Sequence, residues 1–152
     1  YHHTAPVNNL YALHESLLML REEGLAAAHS RHRRNHEALV AGLEAMGLAM
    51  AVAAPHRLPQ LNSVVIPEGV DDAALRSALL DEFDLEIGAG LGALAGKTWR
   101  IGLMGYASNE RNVVFCLNAL ETVLSRQGAA VNAGKAVAAA RAVFNQSAVK
   151  AA

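Results

Sequence analysis

A run of alternating side chains, Thr98-Trp-Arg-Ile-Gly-Leu103, limits the possible folds more than any other part of the sequence. Its period of two is that of a β-strand, with Trp99, Ile101 and Leu103 on one face and Thr98, Arg100 and Gly102 on the other. A strand cannot satisfy its own backbone donors and acceptors, so further extended segments must pair with it. The apolar face is predicted to be core. On the other face one guanidinium stands between small neighbours, a fork of donors with room for a carboxylate or phosphate. The same pattern also fits the solvated side of an antiparallel sheet. Just before the strand, Gly88, Gly90, Gly92 and Gly96 make a loop whose backbone can take positive φ or approach a ligand closely.

Two phosphate-binding motifs match this loop only formally. Gly88-Ala-Gly90-Leu-Gly92-Ala93 fits the dinucleotide fingerprint, but that fingerprint precedes a helix, whereas here a β-patterned segment follows. Gly92 to Thr98 is one residue short of a P-loop and also lacks the helix.

The rest of the chain reads as helices interleaved with short strands. A first helix is expected just after Thr4, with Pro6 in its first turn, Leu10, Leu13, Leu17 and Leu20 as its apolar stripe, and Gly24 at its end. Tyr1, His2, His3 and Thr4 stand before it, able to donate hydrogen bonds where a helix also offers free N–H groups. This fits an anion cradle, and equally a simple Thr4 cap. A second helix is predicted over Leu25 to Met46, with Leu39, Leu43 and Met46 on its apolar side. His29, His32 and His36 share one face of it, but no carboxylate or thiolate completes a metal shell and the neighbouring arginines repel a cation. A solvated or subunit-facing stripe is expected there, and no metal.

Beyond Gly47, a strand is predicted over Asn62 to Ile66 and a third helix from an Asp71 or Asp72 cap to about Asp84. A fourth helix is expected from Asn109 to Gln127, with Val113, Leu117, Leu120 and Leu124 buried and Cys116 a small core residue. After Gly128 an Ala-rich stretch is helical by propensity, with Val137 and Phe144 as docking points. The order implies an α+β (α/β) fold, a small antiparallel or mixed sheet covered by helices.

Composition excludes several classes. With 14 acidic against 13 basic residues, there is no general electrostatic reason to bind nucleic acid. No apolar run approaches the roughly 20 residues of a membrane helix. One cysteine rules out an internal disulfide and any Cys-rich zinc site, and the default compartment is cytoplasmic. The chain opens on Tyr1-His2-His3-Thr4 without an initiator Met and reads as part of a longer protein. The residues alone leave three uses open: a piece of an enzyme, a small-molecule binding module, and an oligomerisation domain built on the first two helices.

Three blocks in register carry a family resemblance: Tyr1-His2-His3-Thr4-Ala5-Pro6 leading into a helix, Asp84-Leu-Glu-Ile-Gly-Ala-Gly-Leu-Gly92, and Gly96-Lys-Thr-Trp-Arg-Ile-Gly-Leu-Met-Gly105. Over about residues 1 to 127 the chain resembles the alanine-glyoxylate and serine-glyoxylate aminotransferases, fold-type I, class V pyridoxal phosphate enzymes. Its tail is loosely similar to that of ureidoglycine-glyoxylate aminotransferases.

The resemblance implies that residues 1–24 are the end of a large domain and its linking helix, 25–127 the small C-terminal domain, and 128–152 a helical tail. It further implies that Arg100 grips the substrate α-carboxylate. Tyr1 and Thr4 are implied to reach across a homodimer to the cofactor phosphate held by the neighbouring subunit. The implied reaction is ping-pong: a small amino acid of the alanine or serine type, or ureidoglycine, gives its amino group to pyridoxal phosphate, and glyoxylate or pyruvate takes it up. The resemblance also implies that the family's Schiff-base lysine and the aspartate that pairs with the pyridine nitrogen lie upstream of Tyr1. Only Lys97, Lys135 and Lys150 are present, Lys97 matching a small-domain lysine, so the chain alone is expected to be inactive.

Overall fold

A computed structural model describes residues 2–151, with side chains through residue 146. The chain divides into two units, residues 1–31 and 32–152.

The first unit is built on α1 (Val7–Glu23). The helix starts one residue later than its proline implies: Pro6 is the N-cap itself, and no side chain caps the first turn. A proline N-cap has no N–H of its own to satisfy, so the start is tolerated without Thr4. Gly24, at φ 83°, ends the helix and donates its N–H to the Leu20 carbonyl. Beyond it, at the start of α2 (Leu25–Met46), Arg31 forks onto Glu23, with its Nη2 2.8 Å from Oε2. Burial partly opposes this pairing, yet the carboxylate contact holds the Arg31 guanidinium above its usual pKa.

The second unit contains the sheet. β1 (Leu61–Val65), β2 (Gly88–Ala89) and β3 (Thr98–Gly102) lie in the order β1-β3-β2, all antiparallel. β3 is therefore the central strand. Its register sets Ser63 and Gly88 on either side of Arg100, and Val64 and Ala89 on either side of Trp99.

Trp99, Ile101 and Val64 enter one core cluster with Leu39, Leu43 and Met46 of α2. The same cluster takes Leu75 and Leu79 from α3 (Asp72–Phe83) and the whole predicted stripe of α4 (Glu110–Arg126). Ala136, Ala140 and Phe144 of α5 (Ala136–Ala151) are buried in it too, so the Ala-rich stretch docks through its small residues as well as its Phe. Both polar caps form as expected: the Asp71 carboxylate accepts from the Ala74 N–H and the Asn109 side chain from the Asn112 N–H.

The side chains on the opposite face of the sheet are not part of this cluster. Leu61, Val65 and Gly102 are exposed there, and Ser63 and Arg100 are half-buried.

Candidate functional site

β3 is held from behind. Its only tryptophan is fully buried, and the Trp99 indole N–H donates to Asp72 Oδ1 at 2.8 Å. Arg76 completes this anchor, with Nε 2.9 Å from Oδ1 and Nη2 3.2 Å from Oδ2 of the same carboxylate. Together with the Trp99 contact, the Arg76 hydrogen bonds hold the Asp72 carboxyl below the usual carboxylate range, against an opposing push from partial burial.

With Trp99 fixed on the core side, the pleat sends Arg100 to the open face. There its Nε donates to the Ala89 carbonyl at 2.7 Å, a tether from the edge strand. The guanidinium lies across β2 at its one residue without a side chain in the way: a Cβ on Gly88 would come within 3.1 Å of Nη2 and 3.3 Å of Cζ. Gly88 is thus needed for close approach and not for its dihedral freedom.

Among the described residues Arg100 makes no ion pair, and its terminal nitrogens have no protein acceptor. A half-buried cation without a counter-ion, fixed at Nε and open along the Nη1–Nη2 edge, is suited to a carboxylate approaching end-on.

The loop before β3 is a tight hairpin and not an open cradle. The Gly90 N–H donates to the Thr98 carbonyl at 2.8 Å, and a Cβ on Gly90 would stand 2.0 Å from the Leu94 carbonyl oxygen. Thr98, predicted on the open face beside Arg100, is 3% exposed beneath this hairpin, and its hydroxyl has no partner. Lys97 is exposed at the end of the loop, where its carbonyl accepts from the Ile66 N–H.

Thr4 belongs to the first unit, where it is exposed and leaves the start of α1 uncapped. An uncapped helix start beside a hydroxyl suits an anion such as a phosphate. Tyr1 lies outside the described residues.

The histidine stripe of α2 differs from expectation. His29 is exposed, but His32 is 9% exposed and accepts the Gly105 N–H on Nε2 at 3.1 Å. The His36 Nδ1 lies 2.6 Å from Asn62 Oδ1. Because Asn62 Nδ2 donates to the Ile101 carbonyl, its oxygen must accept, and the His36 proton sits on Nδ1. Asn35, fully buried, donates to the Ser108 hydroxyl at 3.1 Å. These polar contacts support the strand that carries Arg100 and the turn that follows it. The signal was in the spacing: 32, 36, 39, 43 and 46 form one helical stripe, the same stripe as the core leucines. No group of three potential metal ligands occurs among the described residues.

A concavity of about 120 Å³ is lined by Met50, Val52, Leu58 and Leu61, with Ser63 at its wall, and Arg100 is not among its lining residues. No helix among the described residues is long and apolar enough to cross a membrane.

No family model matches the chain. It is 45% identical over 143 residues to the (S)-ureidoglycine–glyoxylate transaminase of Bacillus subtilis, covering 94% of this chain and 34% of that enzyme. The crystal structure of that ureidoglycine-glyoxylate aminotransferase superposes with a TM-score of 0.87 over 90% of this chain and 35% of the other. Alanine–glyoxylate aminotransferase of Felis catus is 40% identical over 127 residues, 83% of this chain and 31% of that protein. Pyridoxamine-pyruvate aminotransferase of Mesorhizobium loti, 32% identical, superposes with a TM-score of 0.89 over 95% of this chain and 37% of the other. The chain thus spans about a third of the length of the relatives it matches.

Proposed function

Because the chain belongs to the class V pyridoxal phosphate aminotransferases, by homology to the C-terminal part of their alanine-glyoxylate and ureidoglycine-glyoxylate members, we propose that it is the carboxylate-gripping part of a cytoplasmic, homodimeric transaminase. In this reading the intact enzyme moves an amino group from a small amino acid to glyoxylate or pyruvate. The observation that carries it is the unpaired, tethered guanidinium of Arg100 on the open face of the sheet.

Arg100 binds the α-carboxylate of the amino donor and then that of the keto acid, through the edge left free by the Ala89 tether. A charge-assisted hydrogen bond of this kind is worth roughly 1.5 to 3 kcal/mol, and its larger effect is to fix the orientation of the reacting carbon. Trp99 and Asp72, behind the strand, keep the guanidinium from drifting when the substrate leaves. Thr4 would contact the phosphate of the cofactor held by the neighbouring subunit, the role that the resemblance also implies for Tyr1. Pyridoxal phosphate, when bound, supplies the electron sink that loosens the α C–H bond and the carbon that carries nitrogen between substrates. The lysine that anchors the cofactor and the aspartate on its ring nitrogen are not in this chain, which by itself is inactive.

Ureidoglycine is the second reading of the amino donor. It is suggested by the Bacillus relative, which shares 45% identity with this chain over 143 residues.

The test is steady-state kinetics of the intact enzyme carrying Arg100→Lys. The expected result is a raised KM for both amino donor and keto acid, since an ammonium cannot reproduce the two-point fork. Unchanged KM for both would remove Arg100 from the site.

A further inference from the structure

We infer that Ser63 is a second donor to the substrate carboxylate, so that the anion is held between two strands of the sheet and not by Arg100 alone. The inference rests on the carboxylate-binding reading of Arg100.

Ser63 is the cross-strand partner of Arg100. Directly opposed residues of an antiparallel pair project from the same face with their Cβ atoms about 4.5 to 5.5 Å apart. Its neighbours Asn62 and Val64 are buried in the core, which leaves Ser63 on the open face. It is half-buried, and among the described residues its hydroxyl has no hydrogen-bond partner, although its carbonyl accepts from the Ala51 N–H. A half-buried hydroxyl with a free donor is receptive to an acceptor from outside the chain.

The lean of Arg100 makes room for one. Its Nε tether to Ala89 and its contact with Gly88 draw the guanidinium over β2, away from β1. The next residue of β3 on this face, Gly102, has no side chain of its own, and only the end of the flexible, exposed Met104 side chain lies over it. Adjacent strands lie about 4.8 Å apart, so β1 and β2 are separated by roughly 9.6 Å. That span takes a carboxylate with an N–H···O contact of about 2.8 Å to Arg100 on one side and an O–H···O contact of about 2.7 Å to Ser63 on the other. Both oxygens accept from the guanidinium edge, and the one nearer β1 also accepts from the hydroxyl. Two donors from different strands fix the plane of the carboxylate, which a single guanidinium on a long side chain does less firmly.

The test uses the intact enzyme with Ser63→Ala, Ser63→Thr and Arg100→Lys side by side. The readouts are KM for both substrates, kcat, and the inhibition constant of propionate, an unreactive carboxylate. Ser63→Ala should raise KM and the propionate constant together by about fivefold, the loss of one hydrogen bond, with kcat within about twofold. Ser63→Thr, which keeps the hydroxyl, should restore both. If Ser63→Ala leaves the propionate constant unchanged while Arg100→Lys raises it, the Ser63 inference fails and the Arg100 reading stands. If neither variant moves it, both fail. A fall in kcat alone, shared by Ser63→Thr, would mark a packing role and overturn the inference.

Discussion

Replacing Gly88 with Ala adds one methyl group beneath the Arg100 guanidinium and tests whether that guanidinium works by position. The new Cβ would stand 3.1 Å from Nη2, 3.3 Å from Cζ and 3.4 Å from Nε. An unstrained contact begins near ~3.5 Å, so the fork must retreat by about 0.4 Å while its Nε remains tethered to Ala89. If a misplacement of ~1 Å costs roughly 100-fold, or ~2.7 kcal/mol, then 0.4 Å in proportion costs ~1 kcal/mol, a fall of about sixfold in kcat/KM. Stability should hardly change. Glycine in a strand is destabilising by roughly 0.5–1 kcal/mol relative to alanine, which offsets most of the ~1 kcal/mol at the low end of overpacking costs. Steady-state kinetics and thermal melts of the intact enzyme are therefore expected to diverge, with kcat/KM down and Tm within a few degrees. Unchanged kcat/KM for both substrates would refute the argument that the methyl-free floor under Arg100 matters. A large loss of Tm would show that the Gly88 position of β2 cannot accept a side chain at all.

Two further predictions concern titration and reactivity. The folded Asp72 pKa lies below its unfolded value of about 3.9, so its contribution to stability is present above that pH and is lost as pH falls through the folded pKa. Asp72→Asn should therefore flatten the acid side of the urea-midpoint profile, followed through Trp99 emission; parallel profiles for both proteins would reject this. Burial pushes the Cys116 thiol up to about 12, so it stays protonated when folded, and stability declines as pH rises past the unfolded thiol value of about 8.5. A thiol reagent at mildly alkaline pH should label Cys116 only after denaturation, and stoichiometric labelling of the native protein would contradict its burial.

The fold was most legible where one periodicity ran long enough to dominate. The α4 stripe of Val113, Leu117, Leu120 and Leu124 is buried throughout, because four contacts at helical spacing leave one face for the core. The alternation of Thr98 to Leu103 likewise placed Trp99 and Arg100 on opposite faces of the sheet. Two-residue β2 carried no such signal. Gly88 and Ala89 become a strand only because β3 offers a partner, and with them came the Ala89 tether that no local pattern encodes. Thr98 was misjudged because burial under the hairpin is a tertiary event. The end of α3 at Asp84 was legible, but its φ of 50°, a conformation usually left to glycine, was not. His32 and His36 were read by chemistry as surface groups when their spacing assigned them to the interior.

The polar contacts of α2 bear on how freely this part of the protein can change. Leucine and methionine side chains slide over one another at little cost, so a helix docked through them alone can settle at several depths. Directional bonds from residues 32, 35 and 36 to Gly105, Ser108 and Asn62 admit a single depth and a single rotation. The helix therefore acts as a ruler against which both the first strand and the turn after the central one are measured. Substitutions that preserve greasiness but shorten or lengthen these three side chains should blur the alignment of the sheet before they unfold it.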